Sequence, residues 1–457
     1  MSLSAQSTGT GEAPGASQVF ALAWPMTIKA VFLHGTIVID GWLVSSLGEV
    51  ALGAMGLAAA IGGLILGVIF AFSHAMQIRT AQASGTGDAV FLKSVLVSGL
   101  AISLSIGVGG VVLIGLVGPA AIGAFAPGEI IAAEAWRYLS VFTLVILFEA
   151  VGQCLSSYFN GRGRTRIPLY GYCLSVPVNI TASVVLIHGL WGLPALGVAG
   201  AALGSAIAVA GQVAFFVLMA WRHDRQLRAA PGWRQGRLAP TILRHLGFAL
   251  PIAATFASAQ FATHVCMLIY AQMTLTDFAA MTLIAPWMLV AGQIAMQWTQ
   301  ATGIIVAQLL GRRASEPVLD RFLSQAWRAA FVTAGIVALI YVTLILSVDL
   351  LYNDLAPATR ATLVSFLPIL VLTAIPRTTN AVCGNTLRAS GDTIYVMHVF
   401  IWSQWLFRVP ATAVAVLVFQ LPAFWVLCLI LGEEIVKFWP FHRRVWRGDW
   451  KRADVAA

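Results

Sequence analysis

The 457-residue sequence predicts an all-α polytopic membrane protein, with twelve transmembrane helices in two six-helix lobes related by a pseudo-two-fold axis along the membrane normal. Three observations carry that expectation. Hydrophobic residues make up 59% of the chain and charged residues only 10%, at a mean hydropathy of +0.86, too few charges to cover a soluble surface. Apolar runs of about 20 residues recur between short basic loops and do not alternate, which favours helices over a transmembrane barrel. The chain also repeats itself once along its length.

Taken in order, the spans centre near Val38, Leu64, Ile106, Ile146, Ala182 and Val209, then Ala259, Val290, Ile336, Ile369, Ala411 and Leu429. Spans 2 and 8 run long, as tilted or solvent-extended helices do. Basic residues gather in every second loop. Arg79 and Lys93 follow span 2, and Arg162, Arg164 and Arg166 follow span 4. Arg222, Arg225, Arg228, Arg234, Arg237 and Arg244 lie between spans 6 and 7. Arg312, Arg313 and Arg321 follow span 8, Arg388 follows span 10, and Lys437 and Arg443 lead the basic C-terminus. The alternate loops carry Glu49, Glu129, Glu134, Asp277, Asp349 and Asp354. The positive-inside rule therefore places both termini in the cytoplasm, and the lipid bilayer of the plasma (inner) membrane is the expected surroundings.

A net charge of +9 spread over such loops gives no nucleic-acid footprint. The five cysteines fall inside spans without ligand spacing, so no metal or other cofactor is expected. Residues 1–18 are rich in Gly, Ser and Ala and lack a signal-peptide pattern, and read as a disordered cytoplasmic tail.

The repeat fixes the organisation. Leu22–Asp40 aligns with Phe248–Cys266, pairing Pro25 with Pro251, and "TAQASG" (Thr80–Gly85) aligns with "VAQLLG" (Val306–Gly311) at the same offset. "NGRGRT" (Asn160–Thr165) matches "RASGDT" (Arg388–Thr393) two residues further out of register. Each copy holds six spans, so the copies run parallel and a cleft is expected between or within them. The expected layout is a tail 1–18, an N-lobe 19–221, a basic linker 222–245, a C-lobe 246–441 and a basic tail 442–457. Duplication with very short loops suits a transporter better than an enzyme.

Charges in mid-span cost several kcal/mol each and mark function by default. Lys29, Thr36 and Asp40 form one helical stripe, with Asp40 about 16 Å beyond Lys29, near the bilayer middle. A carboxylate there must be protonated, ion-paired or cation-bound. Span 5 offers Pro177, Asn179 and Ser183, the last two on one face. Glu149, Gln153 and Ser156 form a stripe in span 4, and Thr373, Arg377 and Asn380 one in span 10. Glu149 and Arg377 occupy repeat-related positions, which suggests that they pair across the cleft. Gln260 with His264, Gln293 with Gln297, and Gln404 with Arg408 each share a helix face. With Arg377, they make a donor-rich surface suited to an anionic or zwitterionic group.

These features together resemble the multidrug and toxic compound extrusion (MATE) transporters. The resemblance rests on Asp40 in span 1, "NGRGRTRIPLYG" after span 4, "PALGVAGAALGSAIA" leading into span 6, "VAQLLG" ending span 8 and "LRASGDT" after span 10. It covers nearly the whole chain. It implies a secondary exporter, not an enzyme, exchanging a proton or sodium ion for an amphipathic small molecule by alternating access, with a monomer as the expected state. It also implies that Asp40, Asn179 and Ser205 sit in the N-lobe cation site. The chain departs from the family pattern at Ser183, where many relatives carry an acid. Ala259 and Arg377 stand where some members hold the two acids of a C-lobe sodium site, so coupling is expected at Asp40 and by protons. Two rivals remain: a lipid-linked oligosaccharide flippase of the same superfamily, and an intramembrane enzyme using His74, His264 or Glu149.

Overall fold

The computed structural model describes residues 14–457 except 225, 226, 228, 352–354, 454, 456 and 457. Most of the expected N-terminal tail, together with Arg225, Arg228 and Asp354, lies outside the described residues. The N-terminal set of helices is α1 (Ala16–Ser45), α2 (Glu49–Thr86), α3 (Ala89–Phe125), α4 (Glu129–Gly161), α5 (Arg166–His188) and α6 (Val198–His223). The second set is α7 (Leu238–Tyr270), α8 (Leu275–Gly311), α9 (Glu316–Leu346), α10 (Pro357–Ala389), α11 (Thr393–Val418) and α12 (Ala423–Trp446).

Each expected span centre falls inside its helix. Among the described residues eleven helices are long and apolar enough to cross a membrane; α12 carries Glu433, Glu434 and Lys437 in its interior turns. The long spans are α2, with 38 residues, and α8, with 37, and α3 matches them at 37. At ~1.5 Å per residue each exceeds a ~30 Å hydrocarbon layer.

Loop chemistry explains why the repeat is visible in the sequence. Gly163 (φ 75) and Gly391 (φ 94) sit at repeat-related positions of the α4–α5 and α10–α11 turns, both in the left-handed region that glycine enters freely. Gly87 (φ 71) and Arg313 (φ 52) form the same kind of pair after α2 and α8. At Arg313 a side chain is held where L-residues lose about 1–2 kcal/mol. Asp88 caps α3, its Oδ1 accepting the Val90 and Phe91 amides at 2.8 and 3.2 Å.

The chain forms two compact units. One is Ile28–Ala253; the other runs from Ala254 onward and includes the described residues up to Thr27. The divisions fall inside α1 and α7, two residues after Pro25 and Pro251, and not at the linker. Proline removes a backbone donor and opens the helix ladder, so these are the points at which each helix can bend. The expected linker is also shorter than drawn, since α7 begins at Leu238 and takes in Arg244 and His245.

Within the first unit α4 is central, packing against α2, α3 and α6. Within the second α10 is central in the same way, against α8, α9 and α12. In the N-terminal unit apolar clusters form around Ile69, Ile146 and Ile187 and around Tyr158, Phe159 and Phe216. In the second unit a cluster forms around Ile284, Phe366 and Leu427.

The α5–α6 seam is unusually close. A Cβ on Gly200 would lie 2.6 Å from the Leu186 carbonyl carbon and oxygen, and one on Gly204 would overlap Ser183 Oγ and lie 2.6 Å from its amide nitrogen. This is a small-x-x-x-small contact in which backbone meets backbone, so nothing can move aside cheaply. Gly204→Ala is expected to destabilise by about 1–3 kcal/mol through overpacking, read as a lower melting temperature in detergent. A neutral Gly204→Ala would show that the seam is looser than the structure has it.

Candidate functional site

Asp40 is buried in the first unit, on the second half of α1. Its Oδ2 accepts a hydrogen bond from Ser205 Oγ of α6 at 3.1 Å, and Asn179 Nδ2 of α5 donates to that same hydroxyl at 2.8 Å. Asp40 Oδ1 and Asn179 Oδ1 are buried and have no partner among the described residues. The close α5–α6 seam fixes this geometry, because Ser205 directly follows Gly204. Three of the four residues singled out for coupling therefore form one chain of contacts. Ser183 is placed differently: its Oγ donates to the Ala201 carbonyl at 3.5 Å and closes the seam.

No salt-bridge cation approaches Asp40 among the described residues. An ionised carboxylate buried with one hydroxyl donor and no counter-charge is costly, by several kcal/mol. Taking up a proton or an alkali cation at the bare oxygens removes that cost.

A second polar cluster lies on the same unit. Gln153 Nε2 donates to Glu149 Oε2 and to Tyr172 Oη, each at 2.8 Å. Lys29 Nζ donates to Ser156 Oγ at 2.8 Å, stands 5.6 Å from the Tyr172 ring centre and lies within electrostatic reach of Glu149. The α4 stripe is thus real, but its counter-charge comes from α1. Thr36, in the same α1 stripe, bonds its own helix at the Phe32 carbonyl.

Arg377 pairs with Glu434 at 3.5 Å inside the second unit, so the repeat-related Glu149 and Arg377 each have a charge of opposite sign within their own unit.

The second unit carries a network of five charges, in which Glu433, Glu434 and Lys437 are buried and Arg377 and Arg408 are half-buried. Lys437 Nζ reaches Glu433 at 3.1 Å and Glu434 at 3.0 Å; Arg408 reaches Glu433 at 3.5 Å. Asn380 Nδ2 donates to the Glu434 carbonyl at 2.7 Å and to its Oε2 at 3.0 Å. Arg408 is delivered by a π-helical stretch of α11, Ser403–Arg408, a feature that recurs at functional positions. Three cations face two carboxylates, so the network keeps one positive charge in excess.

Arg377 also borders a small apolar hollow lined by Met288, Val337, Tyr341, Leu370 and Leu427. The other polar residues of this unit stand apart. Gln293 and Gln297 bond each other at 3.4 Å, while Gln260 and His264 are exposed and share one turn of α7. Gln404 accepts from Ser258 at 2.9 Å.

Several residues that read as loop charges are interior. Lys437 is central to the network, and its signal was its spacing of four and three from Glu433 and Glu434. Arg388 is buried, 5.7 and 5.4 Å from the ring centres of Phe256 and Phe400. Elsewhere the repeat keeps an ion pair and exchanges its signs. In the first unit Arg162 and Arg164 after α4 hold Asp224 after α6; in the second Asp392 after α10 holds Arg444 of α12, at 2.8 Å.

Residues 25–185 match the MatE family. Over that stretch the chain is similar to the MATE transporters. It is a multi-pass membrane protein by its helices. The chain is 27% identical to a probable multidrug resistance protein NorM of Caulobacter vibrioides, over 72% of its own length and 68% of the relative's. It resembles the outward-facing conformation of a multidrug resistance MATE family transporter at TM-score 0.80 and 18% identity, covering 94% of this chain and 96% of that one. It also resembles a MOP superfamily transporter from Pyrococcus furiosus whose binding pocket is described as reversed in polarity. There the TM-score is 0.76 and the identity 17%, over 94% and 95% of the two chains. At those identities the solved structures speak to the fold alone.

Proposed function

We propose that this chain exports amphipathic organic compounds, drugs among them, in exchange for a proton carried by Asp40. The observation that supports it most is the buried Asp40 carboxylate, with Oδ2 held by Ser205 and Oδ1 bare among the described residues. A single carboxylate without a second acid is neutralised by a single proton. The oriented Asn179–Ser205 pair stabilises the ionised form and releases nothing itself. Charge appearing and disappearing at this point changes what α1 needs from its neighbours, and Pro25 gives α1 a place to bend. Exchange then proceeds by alternating access, with substrate and proton bound in turn. The basic loops support a chain in the inner membrane with both termini on its cytoplasmic side, working as a monomer.

The apolar hollow beside Arg377 favours amphipathic substrates. The excess positive charge behind it favours an anionic or zwitterionic end over a cationic one. That same charge supports a second reading, the flipping of an anionic lipid-linked compound.

Everted vesicles holding an inside-acid gradient, in sodium-free buffer, distinguish the readings. Organic cations and anions are added in turn and the gradient is followed with a fluorescent amine. Dequenching with an amphipathic anion is the expected result. Uptake of the compound driven by an imposed sodium gradient, with no dequenching under the proton gradient, would make sodium the coupling ion. The absence of both responses from correctly inserted protein would remove soluble-compound antiport and leave lipid flipping.

A further inference from the structure

Arg79, Arg234 and Arg244 converge on a second cavity of the first unit, where the C-terminal part of α2, the start of α3 and the start of α7 meet. Ser94, Ser98, Thr241 and His245 line it beside the guanidiniums, and among the described residues no carboxylate does. Asp88 engages Arg234 at the rim, its Oδ2 accepting at 2.8 Å.

The guanidiniums are held in place. Arg79 lies between two rings, 5.1 Å from the centres of both Phe91 and Phe248, and donates to Gln82 Oε1 at 2.9 Å. Its Nε is buried with no partner among the described residues. Arg234 stacks on the other part of Phe91 at 4.3 Å, and its backbone amide donates to Ser94 Oγ at 2.9 Å. Ser98 Oγ and His245 Nδ1 are 2.6 Å apart. Arg244 and Arg234 are both within electrostatic reach of Arg79.

Arg79 and Arg234 are like charges brought together at a polar hollow, and the one carboxylate of Asp88 offsets only part of their repulsion. Their planar guanidiniums, held against Phe91, are the arrangement that tetrahedral oxyanions select, because each fork offers parallel donors. Ser94, whose Oγ accepts the Arg234 amide, adds a hydroxyl donor. Nothing in the transport cycle proposed above uses these residues.

We propose that this pocket binds a phosphoryl group, presented by an anionic phospholipid headgroup or as free phosphate. The chemistry is shared by both sources; basic pockets between transmembrane helices are a known way of holding lipid phosphates.

The test uses the full chain purified in detergent and follows its melting temperature. The probes are phosphatidylglycerol, diacylglycerol with the same acyl chains, and inorganic phosphate. Wild type is expected to be stabilised by phosphatidylglycerol or by phosphate, and not by diacylglycerol. A response to phosphatidylglycerol alone assigns a headgroup, and an equal response to phosphate assigns the free ion.

The double variant Arg79→Gln, Arg234→Gln is expected to need at least roughly tenfold more probe. Arg321→Gln, a basic residue remote in sequence and exposed, is expected to respond as wild type. Asp88→Asn keeps the α3 cap while deleting the rim acid, and is expected to respond at lower probe concentration. That variant carries the test if the double variant does not fold. The proposal fails if neither probe stabilises wild type, if the double variant responds as wild type does, or if Arg321→Gln weakens the response equally. It fails also if Asp88→Asn binds no more tightly.

Discussion

Asp40→Asn is expected to abolish substrate-dependent proton flux in everted vesicles while leaving the protein folded and inserted. The amide has the shape of the carboxylate and can still accept from Ser205 through its oxygen, so the α1–α6 contact survives. It has no proton to exchange between pH 4 and 10, so the change of charge that drives the cycle is gone. Ser205→Ala should act in the same direction and less severely. It removes the one protein donor to Oδ2, a hydrogen bond to a charged group worth about 1.5–3 kcal/mol. That corresponds to roughly a ten- to hundredfold change in the equilibrium between loaded and unloaded carboxylate, read as slower exchange at a fixed gradient. Asn179→Ala should resemble Ser205→Ala, because Asn179 acts by orienting the hydroxyl. Proton flux retained in Asp40→Asn would make Asp40 a structural residue and remove the mechanism.

The second large effect is expected on stability. Lys437→Met leaves Glu433 and Glu434 buried, with only Arg408 and Arg377 still within reach at 3.5 Å. Removing one partner of a buried ion pair costs about 3–5 kcal/mol, because the charge left behind cannot be resolvated. The protein should lose this in detergent as a marked fall in melting temperature. Adding Glu433→Gln to Lys437→Met should recover part of the loss, since it withdraws one of the two stranded charges. Two groups of one network couple in this way, and independent groups do not. Simple additivity of the two substitutions would mean that the pairs at 3.1 and 3.0 Å are not formed in the protein in solution.

The two predictions touch different parts of one duplicated design. In the first unit the polar residues surround a lone acid; at the corresponding level of the second they surround an excess of cations. Glu149 against Arg377, and Arg164 against Asp392, carry the same reversal, each paired with a charge of opposite sign in its own unit. Duplication copied the packing, with α4 and α10 each central, and left the charges free to diverge as long as each found a neighbour of opposite sign.

That history bears on what could be read in advance. Helix number, span centres and the repeat were legible because each is a local or periodic property. Length of apolar run, left-handed glycines such as Gly163 and Gly391, and paired prolines all leave marks in neighbouring residues. Asp40 was legible for a related reason: a carboxylate amid hydrocarbon is expensive wherever the helix is placed, so its presence alone demands a partner or a proton. The resemblance added Asn179 and Ser205, which the structure joins to it.

What the sequence left open is which residue faces which. In a soluble helix a polar face marks the solvent and an apolar stripe marks the core. In a membrane helix both the lipid-facing and the buried sides are apolar, so that contrast is missing. Glu149 and Arg377 therefore looked like partners by symmetry, and α1 and α12 each supply an opposite charge within the same unit. Lys437, Arg388 and Arg79 looked like loop charges by their places along the chain, yet α12, α10 and α2 carry them inside. The sequence by itself determined a twelve-helix, duplicated membrane protein with one acid out of place. Only the tertiary structure decided the partners of every buried charge, because partnership depends on how helices distant in sequence are rotated and crossed, and steric contacts such as Gly204 against Ser183 set that.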